Sequence, residues 1–260
     1  MYPYITLGPL TLGTYGICAA VAFLMAMFVY KADLIRHGFP GKIAEGMVVI
    51  TTLTGLIGAK FYYILEKPSV LRGGIVNALT DVNGLSWLGG LLAGTAAICL
   101  LRLRHHIPLL VMFDMAGVIG AITYGFGRIG CFMAGDGDYG TPTSLPWGMS
   151  FPRGTVPTIE RVHPTPLYEA AFSFALFWFL WRLGARRPAP GVVAGSYLIL
   201  SGLARFTVEF IKLNPRVWLG LTNSQIVSVI SVIAGCVLLV MIRAAARKDL
   251  PQPGEGSAAG

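Results

Sequence analysis

The sequence contains few charged residues. Only 12% of the 260 residues are Asp, Glu, Lys or Arg, whereas 55% are apolar; soluble globular domains carry roughly 25% charged residues. The apolar residues come in runs of about 20, the length that an α-helix needs to cross a bilayer core. This composition excludes an ordinary soluble domain and predicts an all-α, polytopic membrane protein.

Cysteine is also scarce. The four cysteines, Cys18, Cys99, Cys131 and Cys236, show no close spacing, and three of them lie inside apolar runs. This pattern excludes a disulfide framework and a metal site, so we expect no bound metal. Cys131 is the cysteine nearest a candidate site. We interpret it as a small apolar residue in a tight turn, in preference to a nucleophile.

Three further features exclude other classes of protein. No basic segment precedes the first apolar run, which argues against a cleaved signal peptide. No internal repeat is visible, so a transporter built from inverted halves is not supported. The net charge of +8 comes from residues between the apolar runs, where they set membrane topology, and we therefore expect no nucleic-acid partner.

The apolar runs predict seven transmembrane helices in one membrane domain, residues 1–249. The predicted spans are roughly 12–30, 44–65, 86–101, 108–127, 165–181, 192–212 and 223–242. Dense basic clusters follow the third and fifth spans, at Arg102-Leu103-Arg104 and from Arg182 to Arg187. The positive-inside rule then places the N-terminus outside and the C-terminus in the cytoplasm. Residues 250–260 are rich in Pro, Gly and Ser, which predicts a disordered cytoplasmic tail.

Two predicted outer loops, 66–85 and 128–164, are long, and loops of such length are uncommon unless they have a function. The second contains Pro146, Trp147, Phe151 and Pro152. Prolines and aromatic residues in this arrangement predict a small folded cap, and we expect the two loops together to form a periplasmic cap.

The stretch from Gly127 to Gly140 stands where the fourth span meets its boundary. An arginine that faced hydrocarbon there would cost at least ~2.5 kcal/mol, so Arg128 needs an inward-facing anionic partner. Neighbouring glycines allow a close approach of the backbone to a ligand. Two interpretations stay open from this stretch alone: a site for phosphate or carboxylate, or a helix-ending turn whose arginine reaches water.

The sixth span carries Arg205, Glu209 and Lys212, whose spacing of i, i+4 and i+7 predicts one polar helical face. The alternative is an internal Arg–Glu pair that only fixes helix packing.

The topology brings further polar residues to the same outer level, namely Tyr15, Lys60, Arg128, His163, Tyr168 and Glu169. Cations on separate helices at one depth predict an anion-binding cavity that suits a phospholipid headgroup, with the acyl chains between helices. His163 is interpreted as a hydrogen-bonded loop histidine without a catalytic role. Asp114 lies too far along its helix to join the cluster, so it is interpreted as a structural hydrogen-bond acceptor.

The ordered motifs resemble the prolipoprotein diacylglyceryl transferases of bacterial inner membranes over most of the chain. The matching residues are Gly127-Arg128-Ile129-Gly130-x-Phe132, Gly135-Asp136, Gly140, His163-Pro164-Thr165-Pro166-Leu167-Tyr168-Glu169 and Gly202-Leu203-Ala204-Arg205-Phe206-x-Val208-Glu209-Phe210, and more weakly Tyr15-Gly16 and Gly58-Ala59-Lys60.

The resemblance implies a seven-helix bundle and a reaction without metal or organic cofactor. In that reaction the diacylglyceryl group of phosphatidylglycerol moves to the thiol of the lipobox cysteine in a prolipoprotein signal peptide. Arg128 and Arg205 match the family's essential arginines, and Glu209 matches an acidic partner of the second. The resemblance thus implies catalytic arginines, with the other members of the cluster and signature binding substrate: Tyr15, Lys60, Gly130, Cys131, Asp136, Gly140, His163, Tyr168, Glu169, Glu209 and Lys212.

The chain departs from the family pattern at several positions. Leu88 stands where the family usually has histidine, Cys131 replaces an asparagine, and Asp136 replaces a glutamate with one extra residue before Gly140. Lys60 and Lys212 stand where arginines are common, which removes bidentate phosphate contact. The catalytic base is consequently unassigned, and His163, Glu169 and Glu209 are the candidate replacements.

Three alternatives to the transferase therefore stay open. One is a non-catalytic lipid-binding paralogue, and another is the same transfer with a different acceptor or a different anionic lipid. A channel or transporter is the least favoured, because the charged residues sit at one level and do not continue across the bilayer.

Overall fold

A computed structural model describes residues 3–8, 10–80 and 86–248, which omits the predicted tail and residues 81–85 of the first predicted outer loop. Within these ranges the chain forms eight α-helices and three two-stranded antiparallel sheets. The helices are α1 (Thr14–Arg36), α2 (Gly41–Glu66), α3 (Ile75–Thr80), α4 (Trp87–His105), α5 (Leu109–Ala134), α6 (Thr165–Ala185), α7 (Val192–Val208) and α8 (Asn223–Lys248). The strands are β1 (Tyr4–Leu7), β2 (Leu10–Gly13), β3 (Met149–Phe151), β4 (Thr158–Val162), β5 (Arg216–Trp218) and β6 (Leu221–Thr222).

Each predicted span coincides with a long helix. In the described part of the chain, five helices are long and apolar enough to cross a membrane: Thr14–Arg36, Gly41–Glu66, Leu109–Ala134, Val192–Ile211 and Asn223–Ala246. The helices α4 and α6 are not among them; α4 ends on the basic residues Arg102 and Arg104, and α6 carries Glu169 and Arg182 among its aromatic residues. The short strands were not predicted, because hairpins of two to five residues leave little periodicity in a sequence.

The chain divides into two compact units, one containing Met1–Ala26 and Phe113–Gly260 and the other Met27–Met112. In the second unit, α2 packs on α4. A Cβ added at Gly58 would lie 2.1 Å from the Cβ of Ala93, and one added at Gly89 would lie 2.4 Å from the carbonyl oxygen of Gly58. Small residues therefore bring these helices into backbone contact, a common arrangement where helices pack in lipid.

In the first unit, α7 packs on α8 through glycines in the same way. A Cβ added at Gly235 would lie 2.7 Å from the carbonyl oxygen of Gly195. The start of α7 is held by Asp114 of α5, whose carboxylate accepts hydrogen bonds from the main-chain N–H groups of Gly191 and Ala194, each at 2.7 Å. The predicted role of Asp114 as a structural acceptor is confirmed.

The predicted second outer loop begins later than expected. Helix α5 continues to Ala134, so Arg128 and Cys131 lie on a helix and not in the loop 128–164. The turn begins at Gly135, whose φ of +62° lies in the left-handed region that favours glycine. The glycine-rich stretch stays helical up to residue 134, and Gly130 packs against Tyr15, where an added Cβ would lie only 3.1 Å from the ring.

Residues that follow α5 fold into a small compact segment, which we call the cap. Tyr139 stacks on Phe151 with ring centroids 4.0 Å apart, and Phe132 meets Phe151 edge-on. Burial raises the pKa of Tyr139, whose hydroxyl donates to the carbonyl oxygen of Val156. The guanidinium of Arg161 donates to the carbonyl oxygen of Gly148, among others. The aromatic contacts give the cap its own apolar core, and Arg161 is hydrogen-bonded to the main chain of the cap.

The predicted sixth span, 192–212, is not one regular helix. Helix α7 ends at Val208, Glu209–Ile211 forms a 3₁₀ turn, and Lys212 has an extended backbone. The expected i, i+4, i+7 face is therefore wrong beyond Glu209. The chain leaves the helix here because Lys212 pairs with Gly140 of the cap in an isolated β-bridge.

Candidate functional site

Glu169, on the first turns of α6, lies at the centre of a buried cluster of charges. One carboxylate oxygen lies 2.5 Å from Nη1 of Arg205, and the other lies 2.9 Å from Nζ of Lys212 and 3.5 Å from Nε of Arg128. The hydroxyl of Tyr124 donates to the same carboxylate at 2.7 Å. Cations from α5, from α7 and from the segment after α7 thus meet on one carboxylate.

A second carboxylate, Asp138, lies on the loop after α5 and bridges two of these cations. It pairs with Nη1 of Arg128 and with Nζ of Lys212, the latter at 2.7 Å. The family resemblance points to Asp136, but that residue is exposed and accepts a hydrogen bond from the main-chain N–H of Asp138. The acidic residue that contacts the cations is therefore Asp138, two positions before Gly140.

Glu209 completes the cluster from the end of α7. Its carboxylate lies 3.5 Å from Nη2 of Arg205 and accepts hydrogen bonds from Asn214 at 2.6 Å and Thr222 at 2.9 Å. We call Arg128, Arg205, Lys212, Asp138, Glu169 and Glu209 the ion-pair network. Buried charges are tolerated only when they are paired and hydrogen-bonded, and each member of this network has an oppositely charged neighbour.

Gly140 fixes the position of Lys212 through the backbone. Its N–H donates to the carbonyl oxygen of His163, and the N–H of Thr141 donates to that of Ile211 at 2.8 Å. A Cβ added at Gly140 would lie 2.7 Å from the same Ile211 oxygen and 2.8 Å from the Cβ of His163. Only glycine allows three chain segments to approach this closely here.

Tyr15, Gly130 and Cys131 lie together beside Arg128, where the start of α1 meets α5. An added Cβ at Gly130 would touch both Tyr15 and Cys18. The Cys131 thiol interacts with the carboxylate of Asp136, and the Tyr15 hydroxyl lies within electrostatic range of Arg128. The structure thus brings this predicted group to the edge of the ion-pair network.

His163 and Tyr168 face each other at the entrance to α6. The imidazole Nδ1 lies 3.3 Å from the Tyr168 hydroxyl, and the two rings meet edge-on.

Lys60 lies in the second unit, on α2, where its ammonium is 5.5 Å from the centre of the Tyr63 ring. Its part in the site stays a prediction.

A cavity of about 1040 Å³ opens from the ion-pair network between α5, α6, α7 and α8. Arg128, Glu169 and Arg205 line its polar end, and the rest of its wall is mostly apolar. The apolar wall includes Phe172, Leu176, Leu200, Leu203 and Val227. A cavity with a charged end and an apolar trunk matches an amphiphile with an anionic headgroup.

Tyr124 and Asp138 were missed by the sequence analysis. Tyr124 precedes Arg128 by four residues on the same helix, so the i, i+4 rule could have identified it; its ring lies under the guanidinium at 4.7 Å. Asp138 gave no comparable signal, because its approach to Arg128 depends on the backbone of the glycine-containing loop.

Comparison with known proteins agrees with the motifs. Residues 3–241 match the family described as prolipoprotein diacylglyceryl transferase. A phosphatidylglycerol–prolipoprotein diacylglyceryl transferase of Nitratidesulfovibrio vulgaris is 33% identical over 246 residues, covering 90% of this chain and 92% of its own. Two proteins with the same name are each 30% identical to this chain. The one from Clostridium tetani covers 85% of this chain and the one from Nitrosospira multiformis covers 98%, in each case with 89% of the relative's own length. The chain therefore belongs to the prolipoprotein diacylglyceryl transferase family.

Proposed function

We propose that this protein transfers the diacylglyceryl group of phosphatidylglycerol to the lipobox cysteine of a prolipoprotein signal peptide. The observation that carries the proposal is the cavity that joins Arg128 and Arg205 to an apolar trunk. The headgroup phosphate lies at the guanidiniums, and the acyl chains lie between α6, α7 and α8. The names of the relatives give phosphatidylglycerol and a prolipoprotein as their substrates.

The setting of this reaction is the bacterial inner membrane, with seven helices, α1, α2 and α4–α8, crossing the bilayer. The N-terminus is outside and the C-terminus in the cytoplasm, because basic residues cluster at the C-terminal ends of α4 and α6. The ion-pair network then lies near the periplasmic surface under the cap. A signal peptide emerging from the membrane reaches it from that side.

The reaction forms a carbon–sulfur bond and breaks the bond between glycerol carbon and phosphate oxygen. The cysteine sulfur attacks the carbon, and glycerol phosphate leaves with the bonding electrons. Negative charge therefore develops on the phosphate oxygens. Arg128 and Arg205 stabilise that charge, and a preorganised donor of this kind contributes about 3 kcal/mol.

The thiol proton has to leave as the bond forms, and His163 is the acceptor that the geometry favours. Glu169 forms ion pairs with Arg205 and Lys212, and Glu209 accepts hydrogen bonds from Asn214 and Thr222, so both carboxylates are already engaged. His163 is half-buried, and its Nδ1 lies 3.3 Å from the hydroxyl of Tyr168, a residue that lines the cavity. His163→Gln should lower kcat more than it raises KM; full activity in this variant would assign the proton elsewhere.

Purified protein, phosphatidylglycerol and a lipobox peptide test the main proposal, with thioether product measured by mass spectrometry. Arg128→Ala should abolish the product. Arg182→Ala is the matched control, because Arg182 lies at the far end of α6 with its guanidinium over Trp178. Lipid binding without product would indicate a lipid-binding paralogue, and a product of different mass would indicate another acceptor or lipid.

A further inference from the structure

The ion-pair network is electrically balanced before any lipid enters it. Among the residues that the structure describes, its formal charges cancel: the cations are Arg128, Arg205 and Lys212, and the anions are Asp138, Glu169 and Glu209. A phosphodiester brings one more negative charge into a largely buried site, where an unbalanced charge is costly. The headgroup therefore has to replace one of the carboxylates instead of joining them.

Two of the carboxylates are held firmly. The side chains of Glu169 and Glu209 are 5% and 0% exposed. Tyr124 donates to Glu169, while Asn214 and Thr222 donate to Glu209. Moving either carboxylate would leave these donors and the facing cations unpaired in a buried place.

Asp138 is held much less firmly. Its side chain is 27% exposed and lies on the loop after α5, behind Gly135 and Gly137 with φ of +62° and +91°. Thr165 donates to the main-chain carbonyl oxygen of Asp138 at 2.6 Å and not to its carboxylate. The side chain can therefore rotate towards solvent while the backbone stays in place.

We infer that Asp138 is a displaceable internal ligand, whose carboxylate holds Arg128 and Lys212 until the phosphate of the lipid takes its position between them. This inference rests on the proposed function, because it assigns a phosphate subsite to Arg128, which lines the cavity, together with Lys212. It makes Lys212 a binding residue and Asp138 a competitor of the substrate. Since the lipid exchanges one anion for another, the network stays balanced with lipid bound.

Equilibrium binding without acceptor peptide tests the exchange separately from the chemistry. Asp138→Asn should lower the Kd for phosphatidylglycerol by roughly tenfold if the internal bridge is closed nine-tenths of the time. Diacylglycerol, which has the acyl chains but no phosphate, should bind equally to both proteins. Asp136→Asn is the matched control, because it removes an exposed carboxylate from the same loop and should give a much smaller gain.

An infrared difference spectrum gives a second readout, whose main comparison uses the unmodified protein alone. Phosphatidylglycerol should shift the carboxylate band as Asp138 leaves its cations, and diacylglycerol should not; in Asp138→Asn the shift should vanish. An unchanged or raised Kd in Asp138→Asn, an equal gain in Asp136→Asn, or a spectrum without the shift would overturn the exchange. Tighter binding in Asp138→Asn together with no thioether product from the unmodified protein would instead contradict the transferase and keep the exchange.

Discussion

The two ends of α7 are both held by buried carboxylates, but by different kinds of partner. At its start, Asp114 accepts hydrogen bonds from the main-chain N–H groups of Gly191 and Ala194. Near its end, Glu169 faces Arg205 and, beyond the helix, Lys212. One end is joined to α5 through the backbone and the other to α6 through side chains.

The difference shows how this protein separates rigidity from binding. Main-chain donors at a helix start cannot move away without unwinding the helix, so the contact with Asp114 is suited to fixing α7. Guanidinium and ammonium groups on long side chains can exchange one anion for another. The end of α7 that carries Arg205 is therefore the end that can accept a phosphate.

Among the changes that test this comparison of the two ends of α7, the largest effect is expected from Glu169→Gln. This change leaves Arg128, Arg205 and Lys212 without their shared carboxylate, and breaking a buried ion pair costs about 3–5 kcal/mol. The transfer rate should fall about a hundredfold or more, because small displacements of positioned groups are that costly. Thermal unfolding in detergent and the thioether assay measure the two effects. A variant with normal stability and activity would contradict the central role of Glu169.

Asp114→Ala should reduce stability without a comparable effect on chemistry. It removes two hydrogen bonds to a charged group, each worth about 1.5 kcal/mol or more, so we expect a loss of about 3 kcal/mol. The transfer rate per folded molecule should stay near that of the unmodified protein. A large loss of rate in the folded fraction would show that both ends of α7 act in catalysis and would remove the contrast.

Gly140→Ala tests how tightly the backbone positions the end of α7. The added Cβ would clash with Ile211 and His163, and overpacking of this kind costs about 1–3 kcal/mol. The displaced segment carries Lys212, so lipid binding should weaken as well. Gly127→Ala is the control, because in the described part of the chain its added Cβ has no neighbour within 4 Å and alanine favours the helix. Equal stability of both variants would contradict the close approach at Gly140.

The smallest effect is expected from Lys31→Ala in the second unit. Lys31 and Glu45 form an ion pair at 2.6 Å, but their side chains are 40% and 57% exposed. Exposed pairs contribute about 0–1 kcal/mol because water screens them. The midpoint of thermal unfolding should change by little. A loss of stability as large as that of Glu169→Gln would mean that burial does not explain the importance of the ion-pair network.

The sequence by itself determined the long helices, since the length of an apolar run is a local property that a bilayer selects directly. The sequence also identified candidate members of one polar cluster, because charged residues in such runs need a polar environment. They are Arg128, Arg205, Glu169 and Lys212. The extension of α5 to Ala134 and the 3₁₀ turn after Val208 were not predicted, because both lie where the chain contacts distant segments, such as Gly140 paired with Lys212.

Only the tertiary structure decided which carboxylate meets which cation. Asp136 and Asp138 are equivalent in type and almost adjacent in the chain, yet Asp138 alone of the two contacts Arg128 and Lys212. The choice depends on the positive φ angles of Gly135 and Gly137 and on the hydrogen bond from Thr165. Ion pairs require atoms within about 4 Å, and that distance is set by the folded loop, whereas residue order sets only which groups are present.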